Sequence, residues 1–230
     1  MKAYEGFDKD LKCKGFQYEV GKEYEEANAS LCKKGFHACE NPLDTFRYYG
    51  PTDSRYFEVD VDDNGERNSG DSKVCGKHIK IGAEIGLKGV INAGVRFVFD
   101  KCESATEENA SGERGNAAAS GESGNAAASG VRGNAAASGE SGNAAASGWS
   151  GTAVASGKYG TASADGDQCI AVAWGEESRA RGELGTYIVV SEHDDDGNII
   201  DAKIVRVDGE AIKKNTWYTL QNGEISEAKE

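Results

Sequence analysis

Three side chains near the start of the chain have the types and spacing of a metal site. Cys32, His37 and Cys39 form the pattern C-x4-H-x-C, and Cys13 or a pair further along the chain would complete four ligands. Thiolates and imidazole nitrogens that converge tetrahedrally hold zinc. The spacing matches no standard zinc finger, and the alternative is a set of small buried thiols beside a turn histidine. We expect this alternative, with no bound metal or other cofactor.

A second group of candidate ligands is the acidic run HDDDGN, from His193 to Asn198. Its carboxylates could bind a cation. However, the flanking segments YIVVSEH and IIDAKIVRV have the composition of strands, and Asp-Gly is a favoured pair in hairpin turns. We therefore expect the run to form the turn of a β-hairpin. The chain contains no G-x-S-x-G, Walker or HExxH motif, and we expect no enzymatic centre of those kinds.

The charge of the chain favours some partners over others. The 230 residues carry a net charge of −13, and residues 100–230 hold 11 basic and 22 acidic side chains. Proteins that bind nucleic acid directly usually display basic patches, so we expect no direct nucleic-acid binding. An acidic surface instead suits a protein partner with a basic surface, including one that normally holds nucleic acid.

The chain shows no signal for export or membrane insertion. Residues 1–19 contain no apolar signal segment, and no apolar run approaches the roughly 20 residues of a membrane span. The six cysteines are spread thinly, which favours reduced thiols. We expect a cytoplasmic protein without membrane contact.

The elements that must position these charges come from a nine-residue repeat. The block GNAAASG occurs four times between residues 115 and 148, and about nine units span residues 106–186. In the central units the third and fifth positions are always small, while the second, fourth and sixth vary. This alternation is the side-chain period of a β-strand with a tight interior. We expect glycine at positions one and seven to supply bends or close approach.

Two units would form one coil of a parallel β-solenoid that rises by about 4.8 Å per coil. Glu-Ser recurs in every second unit, which places alternate turns on one edge. That edge would stack Glu122, Glu140, Lys158 and Glu176, with its glutamates about 10 Å apart. The opposite edge would stack Arg114, Arg132 and Trp149. We predict an acidic interaction surface formed by Glu107, Glu108, Glu122, Glu140, Asp165, Asp167 and Glu176.

The repeat pattern x-A-x-A-x-G resembles that of the head domains of trimeric autotransporter adhesins. The resemblance implies a parallel β-roll with small residues packed inside. Because an alanine interior buries little apolar surface, we expect the roll to be capped and to form a homo-oligomer, either a dimer or a trimer.

The N-terminal residues have the composition of an ordinary globular domain. Asn41 and Pro42 predict the start of a short helix, and the alternating segments at 57–61 and 74–84 predict paired strands. We expect residues 85–99 to lead into the roll as an irregular coil. The motifs GFHAC and NPLD resemble a small domain of unknown function found in phage and prophage proteins.

The stretch from Gly35 to Gly65 also resembles, at the level of its element order, the ADP-ribosyltransferases. That resemblance implies NAD as the ligand, with Tyr48 or Tyr49 stacking on nicotinamide and Glu84 as the catalytic acid. A nucleotide-binding N-terminal domain is therefore an alternative function.

Together these patterns predict a mainly β protein. An N-terminal α+β domain (1–99) would precede a nonapeptide-repeat parallel β-solenoid, or β-roll (100–186), and a C-terminal β-hairpin cap (187–230). As a function we expect a non-enzymatic interaction protein of phage or prophage type. The concrete version is a counter-defence inhibitor that covers a basic, nucleic-acid-binding surface of a host protein. A structural or adhesin-like component of a phage particle is the other alternative.

Overall fold

The computed structural model describes residues 1–66, 71–102, 109–110 and 113–228. The chain divides into two compact units, Met1–Phe97 and Val98–Glu230. Its secondary structure is mainly β, with an N-terminal domain followed by a parallel β-solenoid, which confirms the expected fold class. The expected limits of three separate domains remain a prediction. Within the described residues, no helix is both long and apolar enough to cross a bilayer.

The N-terminal unit is built on a ring of four strands. Strand β1 pairs with β5 and β6, and β7 pairs with the same two strands, while β4 extends the sheet beside β7. The ring encloses buried apolar side chains that include Phe7, Phe57 and Ile81. The elements are β1 (Lys2–Asp8), β2 (Lys12–Cys13), β3 (Phe16–Gln17), β4 (Glu23–Glu25), β5 (Phe36–Cys39), a 3-10 helix (Pro42–Arg47), β6 (Ser54–Asp63) and β7 (Lys73–Glu84).

The short helix and the strand pair form where the sequence predicts them. The side chain of Asn41 accepts a hydrogen bond from the Leu43 N–H and caps the helix, with Pro42 at its first position. In the antiparallel pair of β6 and β7, Val59 lies opposite Ile81. Both side chains are buried, as the alternation of apolar residues predicts.

Residues 86–102 correct one expectation. They form helix α1 (Gly86–Cys102), whereas the sequence was expected to enter the roll here as an irregular coil. The apolar side chains Val90, Ile91, Val95 and Val98 recur at the spacing of one helical face, and all four are buried. A Cβ added at Gly94 would lie 2.4 Å from the Leu43 side chain, so this glycine lets the helix approach the 3-10 helix closely.

The solenoid consists of two parallel sheets whose strands alternate along the chain. The even sheet contains the even-numbered strands and the odd sheet the odd-numbered ones. Each strand pairs with the one 18 residues away, as in Asn125 with Asn143 and Asn134 with Thr152. The strands are β8 (Asn109–Ala110), β9 (Asn116–Ala119), β10 (Asn125–Ala128), β11 (Asn134–Ala137), β12 (Asn143–Ala146), β13 (Thr152–Ala155), β14 (Thr161–Ala164), β15 (Ile170–Ala173) and β16 (Arg179–Gly182).

The interior of the roll is a column of alanines, as predicted. Positions three and five of the units, such as Ala117, Ala119, Ala135 and Ala137, form one buried cluster. Outward asparagines add side-chain ladders, since the Asn143 amide donates to the Asn125 amide oxygen at 2.8 Å. The outward row of the odd sheet is also buried around Val154, whereas the even sheet leaves Asn125 and Asn143 exposed.

Glycine at position seven provides close approach between coils. A Cβ at Gly148 would lie 2.0 Å from the carbonyl oxygen of Gly130, and one at Gly157 would lie 2.0 Å from that of Gly139. The left-handed bend, in contrast, falls on the ninth residue of the seven units between Gly115 and Glu177, which is not glycine. Ser141 has a φ of 57° there. Of the two roles expected for these glycines, bends or close approach, the structure shows close approach at position seven.

Two antiparallel hairpins close the far end of the roll. Strand β17 (Tyr187–His193) continues the odd sheet in parallel with β15, and β18 (Ile199–Arg206) folds back on it. Strands β19 (Tyr218–Gln221) and β20 (Glu224–Glu227) continue the even sheet from β16. Tyr218 and Leu220 join the alanine cluster and replace its thin core with larger side chains. The run after His193 forms the expected hairpin turn.

Candidate functional site

The turns of the solenoid form two edges that carry most of its variable side chains. The first edge consists of the turns that follow the odd strands, at residues 121–123, 139–141, 157–159 and 175–177. The second edge consists of the turns that follow the even strands, at 130–132, 148–150 and 166–168, together with Glu113 and Arg114. Backbone hydrogen bonds connect the turns of successive coils, such as Ser123 N–H to the Glu140 carbonyl at 2.7 Å.

Glu122 and Glu140 lie in neighbouring coils of the first edge. Since their strands pair with an 18-residue register, the two side chains are separated by one coil, about 4.8 Å along the axis. The expected spacing of about 10 Å is therefore wrong, because it counted two coils between them. Both side chains are exposed, and neither forms an ion pair with any residue that the structure describes. The edge thus holds two close carboxylates on a rigid backbone.

The next two coils of this edge contain an ion pair. The Lys158 ammonium lies 2.6 Å from a Glu176 carboxylate oxygen and 3.8 Å from one of Glu177. The hydrogen bond to Glu176 raises the pKa of Lys158. Lys158 is the one basic side chain on the described turns of the first edge. It offsets part of the charge at this end, and no cation among the described residues forms an ion pair with Glu122 or Glu140.

The C-terminal hairpin extends the acidic edge. Strand β17 has seven residues where the repeat strands have four, so its end runs beyond β15 toward the turn at Glu176. Burial lowers the pKa of the His193 imidazole, and the nearby charge of Glu176 opposes this effect only in part. Asp194 acts on the same imidazole as Glu176, and the exposed turn continues from it through Asp195 and Asp196. We call the set Glu122, Glu140, Glu176, Glu177, Asp194, Asp195 and Asp196 the acidic edge.

Sequence reasoning assigned the three aspartates only to a turn and did not place them on the interaction surface. The length of the segment YIVVSEH could have placed these aspartates at the edge. A seven-residue strand paired with a four-residue strand must project beyond it, and it projects on the side of Glu176. Asp194 also organises the turn, since hydrogen bonds from Asn198 lower the pKa of its carboxyl.

The second edge differs from the acidic edge in composition. The register places Glu113, Val131, Trp149 and Asp167 in one column, with Arg114, Arg132, Ser150 and Gln168 in the neighbouring column. The expected stack of Arg132 on Trp149 was therefore one residue out of register. Val131 and Trp149 are 39% and 38% exposed, which is unusual for large apolar side chains. This edge combines arginine with exposed apolar surface.

The predicted acidic residues do not form one surface. Glu122, Glu140 and Glu176 share the first edge, while Asp167 lies on the second edge. Asp165 follows strand β14 of the even sheet, where it accepts a hydrogen bond from Ser163 at 2.9 Å and faces Arg181 at 3.7 Å. Glu107 and Glu108 lie outside the described residues.

The predicted nucleotide-site residues lie at different ends of strand β7. The Tyr48 hydroxyl bonds to Asp71, and the Lys73 ammonium lies 3.4 Å from the Tyr48 ring, near the start of the strand. Glu84 is the last residue of β7 and forms a two-point ion pair with Arg55, at 2.5 and 2.9 Å. That pair lowers the pKa of Glu84. The structure therefore does not bring Tyr48 and Glu84 together as an NAD site requires.

Tyr49 has a packing position. A Cβ added at Gly6 would lie 2.6 Å from the Tyr49 Cβ, so the tyrosine packs directly on strand β1 where no side chain intervenes. Burial and a hydrogen bond with Cys13 raise the pKa of Tyr49. This hydroxyl is held in its neutral form inside the unit.

The three metal candidates do not converge on a cation. His37 accepts a hydrogen bond from the Cys32 N–H at 2.9 Å through Nε2, which closes the loop before strand β5. Burial lowers the pKa of His37 and raises the pKa of the Cys39 thiol. Across the described residues, no three His, Cys, Asp or Glu side chains are arranged to hold a metal ion.

An acid that the sequence patterns did not reveal lies in the N-terminal unit. Glu5 alternates with Ala3 and Phe7, which belong to the apolar core, and it pairs across the sheet with Phe57. Desolvation raises the pKa of Glu5 well above its usual range, while Lys73 and Lys14 oppose that rise. By its accessible surface Glu5 is half-buried, and only its place between two core residues in β1 would have pointed to this position.

Comparison with known proteins bears on the N-terminal unit alone. No curated protein and no solved structure matches the chain. The GFHAC and NPLD motifs fall on strand β5 and the capped 3-10 helix, both inside the unit that the family comparison identifies. Residues 1–93 match the profile of a domain family of unknown function, DUF7666.

Proposed function

We propose that the protein is a non-enzymatic interaction protein that places the acidic edge of its solenoid against a basic surface of another protein. In its concrete form it is a phage or prophage counter-defence inhibitor that covers the nucleic-acid-binding surface of a host enzyme in the cytoplasm. The observation that carries the proposal is the unneutralised pair Glu122 and Glu140, stacked in consecutive coils and continued by further acids at the hairpin end.

The rigidity of the scaffold supports this function. Each coil is hydrogen-bonded to the next, so the carboxylates keep their spacing without a partner. Interactions between preorganised charges lose less conformational entropy on binding than those between flexible chains. The repulsion between Glu122 and Glu140 is also relieved when a lysine or arginine comes between them.

The corrected spacing also brings the edge closer to a nucleic-acid backbone. Duplex DNA carries a phosphate about every 3.4 Å along each strand, and the pair Glu122 and Glu140 places two carboxylates about 4.8 Å apart, before Lys158 interrupts the column. A groove whose lysines and arginines bind the phosphates of a DNA strand has a suitable geometry to bind these carboxylates as well. The partner expected from this chemistry is a protein that normally binds DNA or RNA.

Paired charge reversals test the proposal. Tagged wild-type protein and the variant Glu122→Lys/Glu140→Lys would be used to capture proteins from bacterial lysate, and each captured protein would then be purified. Its binding would be measured by calorimetry at several salt concentrations. We expect the reversal to weaken binding of the true partner at least about tenfold and to flatten its salt dependence.

The matched control is Asp53→Lys/Glu210→Lys, which makes the same change in net charge at exposed residues that belong to neither edge. It should bind like the wild type. Duplex DNA, or RNA for an RNA-binding partner, should compete with the protein for the same surface. Equal binding by both double variants would refute a role of the acidic edge, and the absence of competition by both nucleic acids would refute the covering of a nucleic-acid-binding surface.

A further inference from the structure

We propose that the two edges of the solenoid bind each other between copies of this chain. The first edge of one copy docks beside the second edge of the next, so that Glu122 and Glu140 face Arg114 and Arg132. This goes beyond the proposed function, which uses only the acidic edge and a different partner. The occupant of the second edge is thus a second copy of the same protein.

The match in spacing comes from the coil itself. Arg114 and Arg132 are separated by 18 residues, as are Glu122 and Glu140, and the strands between them pair in that register. Both columns therefore rise by the same distance, about 4.8 Å per coil. Arg114 precedes strand β9 and Glu122 follows it, so the two residues differ in height by half a coil. If one copy is shifted by half a coil along the axis relative to its neighbour, Glu122 and Glu140 lie level with Arg114 and Arg132 of that neighbour.

The next coil adds an aromatic contact. In the same alignment Lys158 of one copy comes beside Trp149 of its neighbour. Lys158 already lies 5.1 Å from the ring of Tyr159, and Tyr159 is 45% exposed. A lysine between two aromatic rings gains cation–π attraction from each of them. The contact would also cover Val131 and Trp149, which the single chain leaves exposed.

Two positions in this alignment oppose association. Glu122 comes beside Glu113 of the neighbouring copy, next to Arg114. Glu176 comes beside Asp167, and two carboxylates repel each other. The ion pair of Glu176 with Lys158, at 2.6 Å within its own chain, reduces this repulsion. Replacement of Asp167 by arginine should remove it and strengthen the contact, which makes this position a test of the alignment.

The geometry also predicts the kind of assembly. Because the two contacting edges are different, a pair of copies still has one free edge of each type, and the contact continues until a ring closes or the chain of copies ends. An edge of a few coils is small compared with a standard protein interface, so the association should be weak. Its dependence on exposed charges should make it sensitive to salt.

Sedimentation velocity with the full-length protein tests the proposal. Samples from about 5 to about 500 µM would be compared in about 10 mM and about 1 M salt, where the Debye lengths are about 30 and 3 Å. We expect reversible association at low salt that disappears at high salt. Protein that remains monomeric throughout the low-salt series would overturn the proposal.

Charge-swapped variants identify the edges. Glu122→Arg/Glu140→Arg and Arg114→Glu/Arg132→Glu should each remain monomeric, because each places like charges in the contact. Mixed together they should associate, since the reversed edge of each variant then faces an edge of opposite charge on the other. Circular dichroism would confirm that both are folded. Failure of the mixture to associate, or association of either variant alone, would contradict the edge pairing.

Asp167→Arg then tests the alignment, and it should associate about tenfold more tightly. Weaker association would overturn the stated register. Self-association and binding of a basic partner can be tested separately, because Arg114→Glu/Arg132→Glu leaves the acidic edge unchanged. That variant should lose self-association yet still bind a basic partner.

Discussion

At the scale of single residues, Glu5 places an ionisable carboxyl in an otherwise apolar row of the N-terminal unit. Its pKa in the folded protein is raised by desolvation. An acid with a raised pKa in the folded state favours folding while it is protonated in both states. Its contribution is therefore full below the unfolded-state pKa of about 4.3 and is lost as the pH rises through the folded-state pKa.

Glu5→Gln should consequently stabilise the protein at alkaline pH. The amide keeps the shape of the protonated acid and cannot ionise, so the variant should melt several degrees higher than the wild type at pH 8 and at nearly the same temperature at pH 4. Thermal unfolding at both pH values measures this. The control Glu58→Gln removes an exposed partner of Lys2 and should not reproduce the effect. A uniform shift at both pH values would disprove the role of ionisation.

At the scale of elements, the coils are fitted to one another through glycine at position seven. Gly148→Ala would place a Cβ 2.0 Å from the Gly130 carbonyl oxygen, and the backbone there has no room to move. We expect a loss of more than about 3 kcal/mol in the free energy of unfolding, at the upper end for overpacking. Chemical denaturation followed by circular dichroism measures this.

Gly121→Ala is the matched control, since it occupies the same repeat position and no described atom lies within 4 Å of the added Cβ. It should change stability by less than about 1 kcal/mol. If the two alanine variants were equally stable, close approach between coils would not be the reason for this glycine.

The elements differ in how far their strand pairing could be predicted from the sequence. The roll could be predicted because its register is local: every coil repeats after 18 residues, and alanine at Ala135 and Ala153 marks the interior in each one. The closed ring of the N-terminal unit depends on pairs distant in sequence, such as Tyr4 with Cys39, that no local pattern records. Helix α1 was missed because residues 85–99 were interpreted as an irregular coil that leads into the roll, although Val90, Ile91 and Val98 recur on one helical face.

The candidate site was predictable to a similar degree. The nine-residue period was sufficient to place Glu122 and Glu140 on one edge. It could not show that Asp165 would pair with Arg181, because that contact depends on side-chain conformation. Nor did it place Asp194 to Asp196 beside Glu176, since the hairpin lies outside the repeat and its position depends on how β17 joins the odd sheet.

At the scale of the whole molecule, the solenoid requires an end. A parallel sheet that stops at β16 would present unpaired N–H and C=O groups, and such edges promote aggregation. Strand β19 covers this edge by pairing Tyr218 with Ala180, and Leu220 is only 3% exposed within the alanine cluster. The side chain of Trp217 adds to the cover, with its ring 4.8 Å from the Arg181 guanidinium and 5.2 Å from that of Arg179.

Leu220→Asp should therefore open this end of the roll. A carboxylate without a partner in an apolar cluster is strongly unfavourable, and the strand pair β19–β20 should detach from β16. We expect a loss of several kcal/mol in stability and concentration-dependent aggregates that persist in about 1 M salt, unlike the charge-dependent association of the edges. Light scattering at low and high salt separates the two kinds of assembly.

Ile200→Asp makes the same type of change at a 53% exposed side chain of the neighbouring hairpin and should remain unaggregated. Aggregation of both variants would mean that added charge, rather than the exposed sheet edge, causes the effect.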